Sequence, residues 1–262
     1  MSGAQDISLL KLSLLILILI IPAVLTFIVY KKGTTQIFTA ILRMVIQLSV
    51  VGFFLQFVFE KNFVLINIIW IIIMILIADI NVYSKVKSGH KIMLFWGFIA
   101  LLLPVVIVNV FLMLLVINPV PVYDARHLIT ITGMLLGNSM NGVILAYDRF
   151  YNELNKNSTE YYGYLSLGAT KNEAVRPFVS NAYRSAVLPT ISSIATMGLV
   201  SLPGMMTGQI LGGSAPVIAI KYQIMIMIAI LFTVSFSSFL IIQFLKRILF
   251  DKYGIIKNIK LL

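Results

Sequence analysis

Runs of about 20 mostly apolar residues, separated by short polar breaks, follow one another along almost the whole chain. A run of that length crosses the roughly 30 Å of hydrocarbon in a bilayer when it is helical. Lipid offers no partner to backbone N–H or C=O groups, so each run has to be a helix. Seven such spans are predicted, over residues 7 to 30, 36 to 59, 63 to 80, 92 to 118, 127 to 147, 185 to 208 and 217 to 245. Residues 148 to 184 form the only long polar segment. The pattern predicts an all-α, polytopic membrane protein with one membrane domain over residues 1–262, a polar insert at 148–184, and no stretch left for a soluble catalytic domain.

Composition agrees with the pattern: 60% of residues are apolar, 11% are charged, and the mean hydropathy is +1.02. A water-soluble domain of this length would aggregate with that balance. The net charge of +11 raises the question of nucleic acid, but the basic residues are spread by loop and form no stripe, so lipid is the expected surroundings and nucleic acid is not. Lys31 and Lys32, then Lys85, Lys87 and Lys91, then Arg149, Lys156, Lys171, Arg176 and Arg184, then Lys246, Arg247, Lys252, Lys257 and Lys260 follow spans one, three, five and seven. The alternate breaks are nearly bare, carrying Lys61, Arg126 and Lys221. By the positive-inside rule the N-terminus is expected outside and the C-terminus inside. The first span follows Lys11 as a secretory signal would, but it is too long and lacks a small-residue cleavage pattern. There is no cysteine, which removes disulfides and thiolate metal ligands.

Spans one to four read as scaffold, with Pro22 and Pro104 expected to kink spans one and four. The second half differs. Span five carries Gly133-Met134-Leu135-Leu136-Gly137-Asn138-Ser139-Met140-Asn141-Gly142, which puts amides, a hydroxyl and glycines at membrane depth. Asn138 and Asn141 are three residues apart and share a helix face. Gly133 and Gly137 have the small-xxx-small spacing that lets backbones approach. Two readings stand, a packing seam with interhelical amide bonds and a lining for a solute path. From Gly198 to Pro216 the chain is too rich in glycine and proline for an unbroken helix, so a broken helix or re-entrant turn is expected. Non-helical backbone at that depth lines a cavity or is buried by protein. Asn138, Ser139, Asn141, Met205 and Gln209 are the candidate path residues.

The insert carries its own helix punctuation. Ser158 or Thr159 is suited to cap a helix with Glu160 in its first turn, and Gly168 to end it in a left-handed conformation. Thr170-Lys171-Asn172-Glu173 has the capping-box spacing and starts a second helix, which Pro177 is expected to end or kink. The expected product is two short helices around a tight turn on the cytoplasmic face. No Gly-x-x-x-x-Gly-Lys-Ser/Thr phosphate loop occurs, so the chain itself is not expected to hydrolyse nucleotide or to be an enzyme.

Leu167-Gly168-Ala169-Thr170, Glu173-Ala174 and the later Leu188-Pro189 resemble the cytoplasmic coupling loop of ATP-binding-cassette permeases. Taken with the Gly137–Gly142 motif, Arg184-Ser185-Ala186, Pro189-Thr190-Ile191 and the Gly198–Gly213 run, the chain resembles the FetB-like permease family, which includes bacterial iron exporters and plant half-permeases linked to aluminium tolerance. The resemblance implies a multi-pass permease subunit in the bacterial inner membrane, pairing as a homodimer with a separate ATPase subunit that binds the ATP and Mg. It implies export of a metal ion, iron, as part of metal homeostasis; a nucleotide sugar or another small solute is the alternative cargo. Leu167, Gly168, Ala169, Thr170, Glu173 and Ala174 are then the ATPase-coupling residues. An ATP-independent secondary transporter remains the competing class, though seven spans show no inverted repeat.

Arg43 in span two and Asp79 near the end of span three are costly in lipid, by about 2.5–3.5 kcal/mol each on insertion scales. They are expected either to pair across the hairpin closed by Glu60-Lys61-Asn62, or to lie apart with Arg43 snorkelling to the surface. Met134, Met140, Met197, Met205 and Met206 stand beside the polar motifs and are either core filler or weak thioether ligands. With His90 and His127 in loops, no tight metal site is legible.

Overall fold

The computed structural model describes residues 7–30, 34–86, 92–251 and 253–257, and the architecture is all-α. Lys31, Lys32, Lys87, His90, Lys91, Lys252 and Lys260 lie outside the described residues. The helices are α1 (Leu9–Ser13), α2 (Leu15–Tyr30), α3 (Thr34–Lys61), α4 (Val64–Val86), α5 (Ile92–Phe111), α6 (Ala125–Lys156), α7 (Ser158–Ser166), α8 (Lys171–Thr196), α9 (Gly204–Leu211) and α10 (Pro216–Leu249). A π turn, Leu112–Ile117, extends α5 until Asn118 takes a left-handed conformation and stops it. Among the described residues, six helical segments are long and apolar enough to cross a membrane: Leu10–Val29, Thr35–Lys61, Val64–Val86, Ile92–Ile117, Ala125–Lys156 and Pro216–Leu249.

The span expected over 185 to 208 is corrected. The helix there begins at Lys171 and ends at Thr196, and α9 follows only after a break. It is long enough to cross, but Ser180, Asn181, Arg184, Ser192, Ser193 and Thr196 are exposed on it, which makes it too polar to pass as a lipid-facing span. Pro177 and Pro189 both lie inside this one helix, so Pro177 does not end it. Proline at the seventh helical residue lacks one N–H, while the capping box and the packing of buried Ala174, Val175 and Phe178 hold the turns on either side. The broken stretch after it is as the glycines predict, with Gly198 and Gly213 at positive φ flanking the short α9.

Local signals set the other long helices. Asp124 caps α6, its carboxylate accepting from the His127 N–H at 3.3 Å and pairing with His127 Nδ1 at 2.6 Å. Pro216 sits in the first turn of α10, where its missing N–H costs nothing. At 32 residues, α6 is about 48 Å long and overruns the hydrocarbon, carrying Asp148–Lys156 beyond the span predicted to stop at 147. Ser158 and Thr159 do not cap α7; Asn157 holds that position with no side-chain bond.

The core runs through α4, α5, α6, α8 and α10, with α6 as its axis, packed most extensively on α10 and then on α8 and α4. The α6–α10 seam is made of small residues. Ser139, Gly142 and Ala146 are buried on α6, as are Ser237 and Ser238 on α10. A Cβ at Gly142 would stand 2.8 Å from Val234 Cγ1 and 3.1 Å from Ser238 Oγ. The expected Gly133–Gly137 pair is not this seam, since Gly133 meets Met74 of α4 and Gly137 is exposed. Two buried amides tie the helices together. Asn109 Nδ2 donates to Thr132 Oγ1 at 3.0 Å, joining α5 to α6. Asn67 Nδ2 donates to the Tyr123 carbonyl at 3.0 Å, while Asn62 Oδ1 accepts from the Ala125 N–H at 2.9 Å, fixing the α3–α4 turn to the start of α6. The helices α2 and α3 bury little against the rest.

No Arg43–Asp79 pair forms. Arg43 is exposed on α3, whereas Asp79 is 3% exposed and its carboxylate lies directly against Gly97 of α5. The hairpin opens away from its turn, with Phe54 and Trp70 in ring contact near the turn and the Arg43 end apart from α4.

Replacing Gly142 by alanine should overpack the stiff β-branched Val234 and lower stability by about 1–3 kcal/mol, while Gly137→Ala should be close to neutral. Thermal unfolding of the detergent-solubilised variants, compared with the parent, measures both.

Candidate functional site

The insert folds as a capped turn between two helices. Its first half is a Schellman motif: the Ala169 N–H bonds to the Tyr164 carbonyl at 3.0 Å and the Gly168 N–H to the Leu165 carbonyl at 3.0 Å. That geometry needs a left-handed residue, and Gly168 supplies it with φ +92°. The second half is the capping box that the Thr-x-x-Glu spacing predicts. The Thr170 N–H and hydroxyl both donate to Glu173 Oε2 at 2.7 Å, and the Glu173 N–H donates to Thr170 Oγ1 at 3.4 Å. These bonds to Thr170 hold the Glu173 carboxyl below its ordinary value. The turn is thus held by backbone bonds and caps on both sides.

Its side chains divide into two groups. Leu167 stands at the tip, 87% exposed, a large apolar residue on an otherwise polar segment. Ala174 is fully buried and roots the start of α8 in the core. Gly168, Ala169, Thr170 and Glu173 shape the turn between them. The structure thus brings the six sequence-predicted docking residues together around one turn, with Leu167 as the projecting one.

The path candidates do not share one surface. Asn138 and Asn141 lie on the exposed face of α6, with Asn138 Nδ2 donating back to the Met134 carbonyl at 2.8 Å. Ser139 faces the other way and is fully buried on α6. On α8, Asn181, Arg184, Leu188, Ser192 and Thr196 follow at three- and four-residue steps, so they form one exposed stripe on the helix that packs against α6. The stripe is split in the sequence pattern, where Asn181 and Arg184 fall in the polar insert and Leu188, Ser192 and Thr196 in the span expected from residue 185. The low hydropathy of 171–196 was the signal that would have found them.

The broken region holds a third group. A cavity of about 590 Å³ lies between the end of α8, α9 and α10, lined by Met197, Met206, Gln223 and Met227 among apolar residues. Met205 packs instead against the core, so of the two adjacent methionines it is Met206 that lines the cavity. Gln223 Nε2 donates to Met197 Sδ at 3.7 Å. Gln209 on α9 is half-buried, and its Oε1 is buried without a hydrogen-bond partner. Among the described residues no three His, Asp or Glu side chains gather into a metal-binding group.

Six long apolar helices, a polar-faced helix beside them and a capped turn projecting from the bundle define a multi-pass membrane protein. Residues 9–250 match the uncharacterised protein family UPF0014, and the chain belongs to that family. It is 34% identical over 220 residues to the UPF0014 membrane protein slr1647 of Synechocystis, covering 84% of this chain and 85% of that one. It is 32% identical to the Escherichia coli protein named "Probable iron export permease protein FetB", covering 75% of this chain and 74% of that one. It is also 32% identical to the protein ALUMINUM SENSITIVE 3 of Arabidopsis thaliana, over 71% of this chain and 66% of that one. No solved structure matches the chain.

The capping box generates a direct test. Because its folded-state carboxyl value is depressed, Glu173 contributes stability fully above its ordinary value of 4.5, and that contribution is lost as pH falls through the lower folded value. Glu173→Ala should speed amide hydrogen exchange in the first turn of α8 by about 3–10-fold at neutral pH, with Glu173→Gln in between. Exchange mass spectrometry of the two variants reads this out.

Proposed function

We propose that this chain is the membrane-spanning subunit of an ATP-driven transporter, docking a separate ATPase through the α7–α8 turn and exporting a metal ion, with iron as the favoured cargo. The observation that carries the reading is the exposed Leu167, fixed on a doubly capped turn that runs directly into α8. A flexible loop would absorb motion of a docked partner; a turn closed by a Schellman motif and a capping box transmits it. Helix α8 continues for 26 residues, about 39 Å, to the broken region and its cavity, so a displacement at Leu167 reaches the membrane interior along one element.

The exposed polar stripes on α6 and α8 fit the same reading. Amides, hydroxyls and Arg184 at membrane depth are not lipid-facing groups, and they are satisfied by a second copy of the chain or by a water-filled path. A homodimer facing itself across α6 and α8 gives both, and the sparsely packed α2 and α3 offer further surface for the second copy. The distribution of basic residues favours a docking turn in the cytoplasm and an N-terminus outside, and the reading sets the chain in the inner membrane of a bacterium. The ATP and Mg belong to the partner subunit.

The iron assignment rests on the name of the Escherichia coli relative. The stripe itself, with amides, hydroxyls and a guanidinium but no carboxylate at Asn181, Arg184, Ser192 and Thr196, also suits a polar organic solute such as a nucleotide sugar.

Leu167→Asp should weaken binding of the cognate ATPase by about tenfold or more, since a central exposed anchor is replaced by a charge, and membrane insertion should be unchanged. The check is ATP hydrolysis by the two proteins co-reconstituted in liposomes, with ferrous iron or UDP-glucose titrated on either side. Undiminished stimulation by the Leu167→Asp variant would remove the docking assignment.

A further inference from the structure

The chain does not trail away after α10. The described residues 249–251 and 253–257 reverse in a tight hairpin, closed by the Lys257 N–H to the Leu249 carbonyl at 2.8 Å and the Asp251 N–H to the Ile255 carbonyl at 3.0 Å. The Asp251 carboxylate accepts from the N–H groups of Tyr253 and Ile255, both at 2.8 Å, and Gly254 takes the positive φ that the reversal needs. An isolated hairpin of this size is marginal in water. So is a helix of nine residues such as α7. Each element therefore needs a partner.

They are seated on each other. The Tyr161 hydroxyl, buried at the root of α7, donates to the Gly254 carbonyl at 2.7 Å. The Tyr162 hydroxyl accepts from the Ile256 N–H at 3.1 Å. The Tyr161 ring meets Phe250 at an angle, with centroids 5.2 Å apart, and Lys171 Nζ lies 4.9 Å from the centroid of the same Phe250 ring. Lys246 Nζ donates to Asn172 Oδ1 at 3.3 Å. The hairpin thus grips α7 before the docking turn and the first residues of α8 after it. Burial first, and then repulsion from the neighbouring Tyr162 oxygen and the Asp251 carboxylate, push the Tyr161 phenol above its ordinary value.

The exposed surface of this unit is continuous in kind. Ile255 is 54% exposed and Tyr253 is exposed beside it, as Leu167 is at the turn. Lys171, over Phe250, and Lys246, bonded to Asn172, belong to the same unit, and Arg247 is exposed next to Lys246 in the chain. We infer that the docking surface is composite: the Leu167–Thr170 turn and the 249–257 hairpin form one unit, locked by Tyr161 and Tyr162, that presents Leu167, Tyr253 and Ile255 to an ATPase with an apolar cleft and an acidic rim. This rests on the proposed function for the identity of the partner. It adds that the C-terminal hairpin is part of the interface and that Tyr161 and Tyr162 are positioning residues for it.

The experiment uses the full chain in liposomes with its ATPase and two variants, Ile255→Asp and the double replacement Tyr161→Phe with Tyr162→Phe. Two quantities are read: the ATPase concentration for half-maximal stimulation, and hydrogen exchange over residues 159–172. Ile255→Asp should raise the half-maximal concentration about tenfold while leaving exchange unchanged, because the hairpin keeps its bonds. The double phenylalanine variant keeps both rings and loses both hydroxyl bonds, so exchange over 159–172 should quicken about 3–10-fold and docking should weaken with it. Parental docking by Ile255→Asp, or parental exchange in the double variant, overturns the composite unit. If the parent chain binds no ATPase, the proposed function falls by itself, and the exchange comparison still decides whether the hairpin holds the turn.

Discussion

Close approach between α6 and α10 is the constraint on which the rest of this molecule depends. In a bilayer the hydrophobic effect gives helices little reason to prefer one another over lipid, so van der Waals contact at short range has to do most of the joining. The seam through Ser139, Gly142, Ala146, Ser237 and Ser238 supplies it. With α10 drawn onto α6, the helices α4, α5 and α8 find their places around the same axis. The amide ties at Asn67 and Asn109 then fix depth, Asn67 donating to the Tyr123 carbonyl just before α6 and Asn109 to the Thr132 hydroxyl on α6, bonds whose loss would leave a buried donor unpaired.

That packing leaves a polar side over. With Ser139 and Gly142 buried on α6, Asn138 and Asn141, three residues apart, are left together on an exposed face. The same holds on α8, where burial of Ala174, Phe178, Ala182 and Ala186 leaves Asn181, Arg184 and Ser192 exposed. The fold therefore builds a polar surface by using the small and apolar residues elsewhere, and that surface is the part of the molecule least suited to lipid. Helix α8 links it to the doubly capped turn without a joint, despite two prolines, because each missing N–H is tolerated where neighbouring turns are held by packing.

Much of this was legible in the chain. The all-α membrane class follows from run length and from the bilayer's lack of hydrogen-bond partners. The turn at Gly168 and the cap at Thr170 and Glu173 were readable because both motifs act over three to five residues, and only the backbone of those residues decides them. The break after span six was readable from the glycines and prolines alone. Pairings were another matter. Arg43 and Asp79 match in depth and sign, yet α3 leans away from α4 beyond the Phe54–Trp70 contact, and Asp79 is buried against Gly97 instead. Depth is a property of the sequence, whereas the splay of a hairpin is decided by what packs against it.

By itself, then, the sequence determined the all-α membrane class, the place of the polar insert and the chemistry of its turn, because local backbone energetics and the solvent of each segment decide those. Tertiary structure alone decided that Pro177 lies within one long helix, that Gly142 and not Gly137 makes the seam, and that Met206 rather than Met205 lines the cavity. It also decided that Gly254 and Ile256 return to Tyr161 and Tyr162, more than ninety positions earlier in the chain. Such contacts depend on which face each helix turns to its neighbours, and a helical period fixes faces only relative to one another.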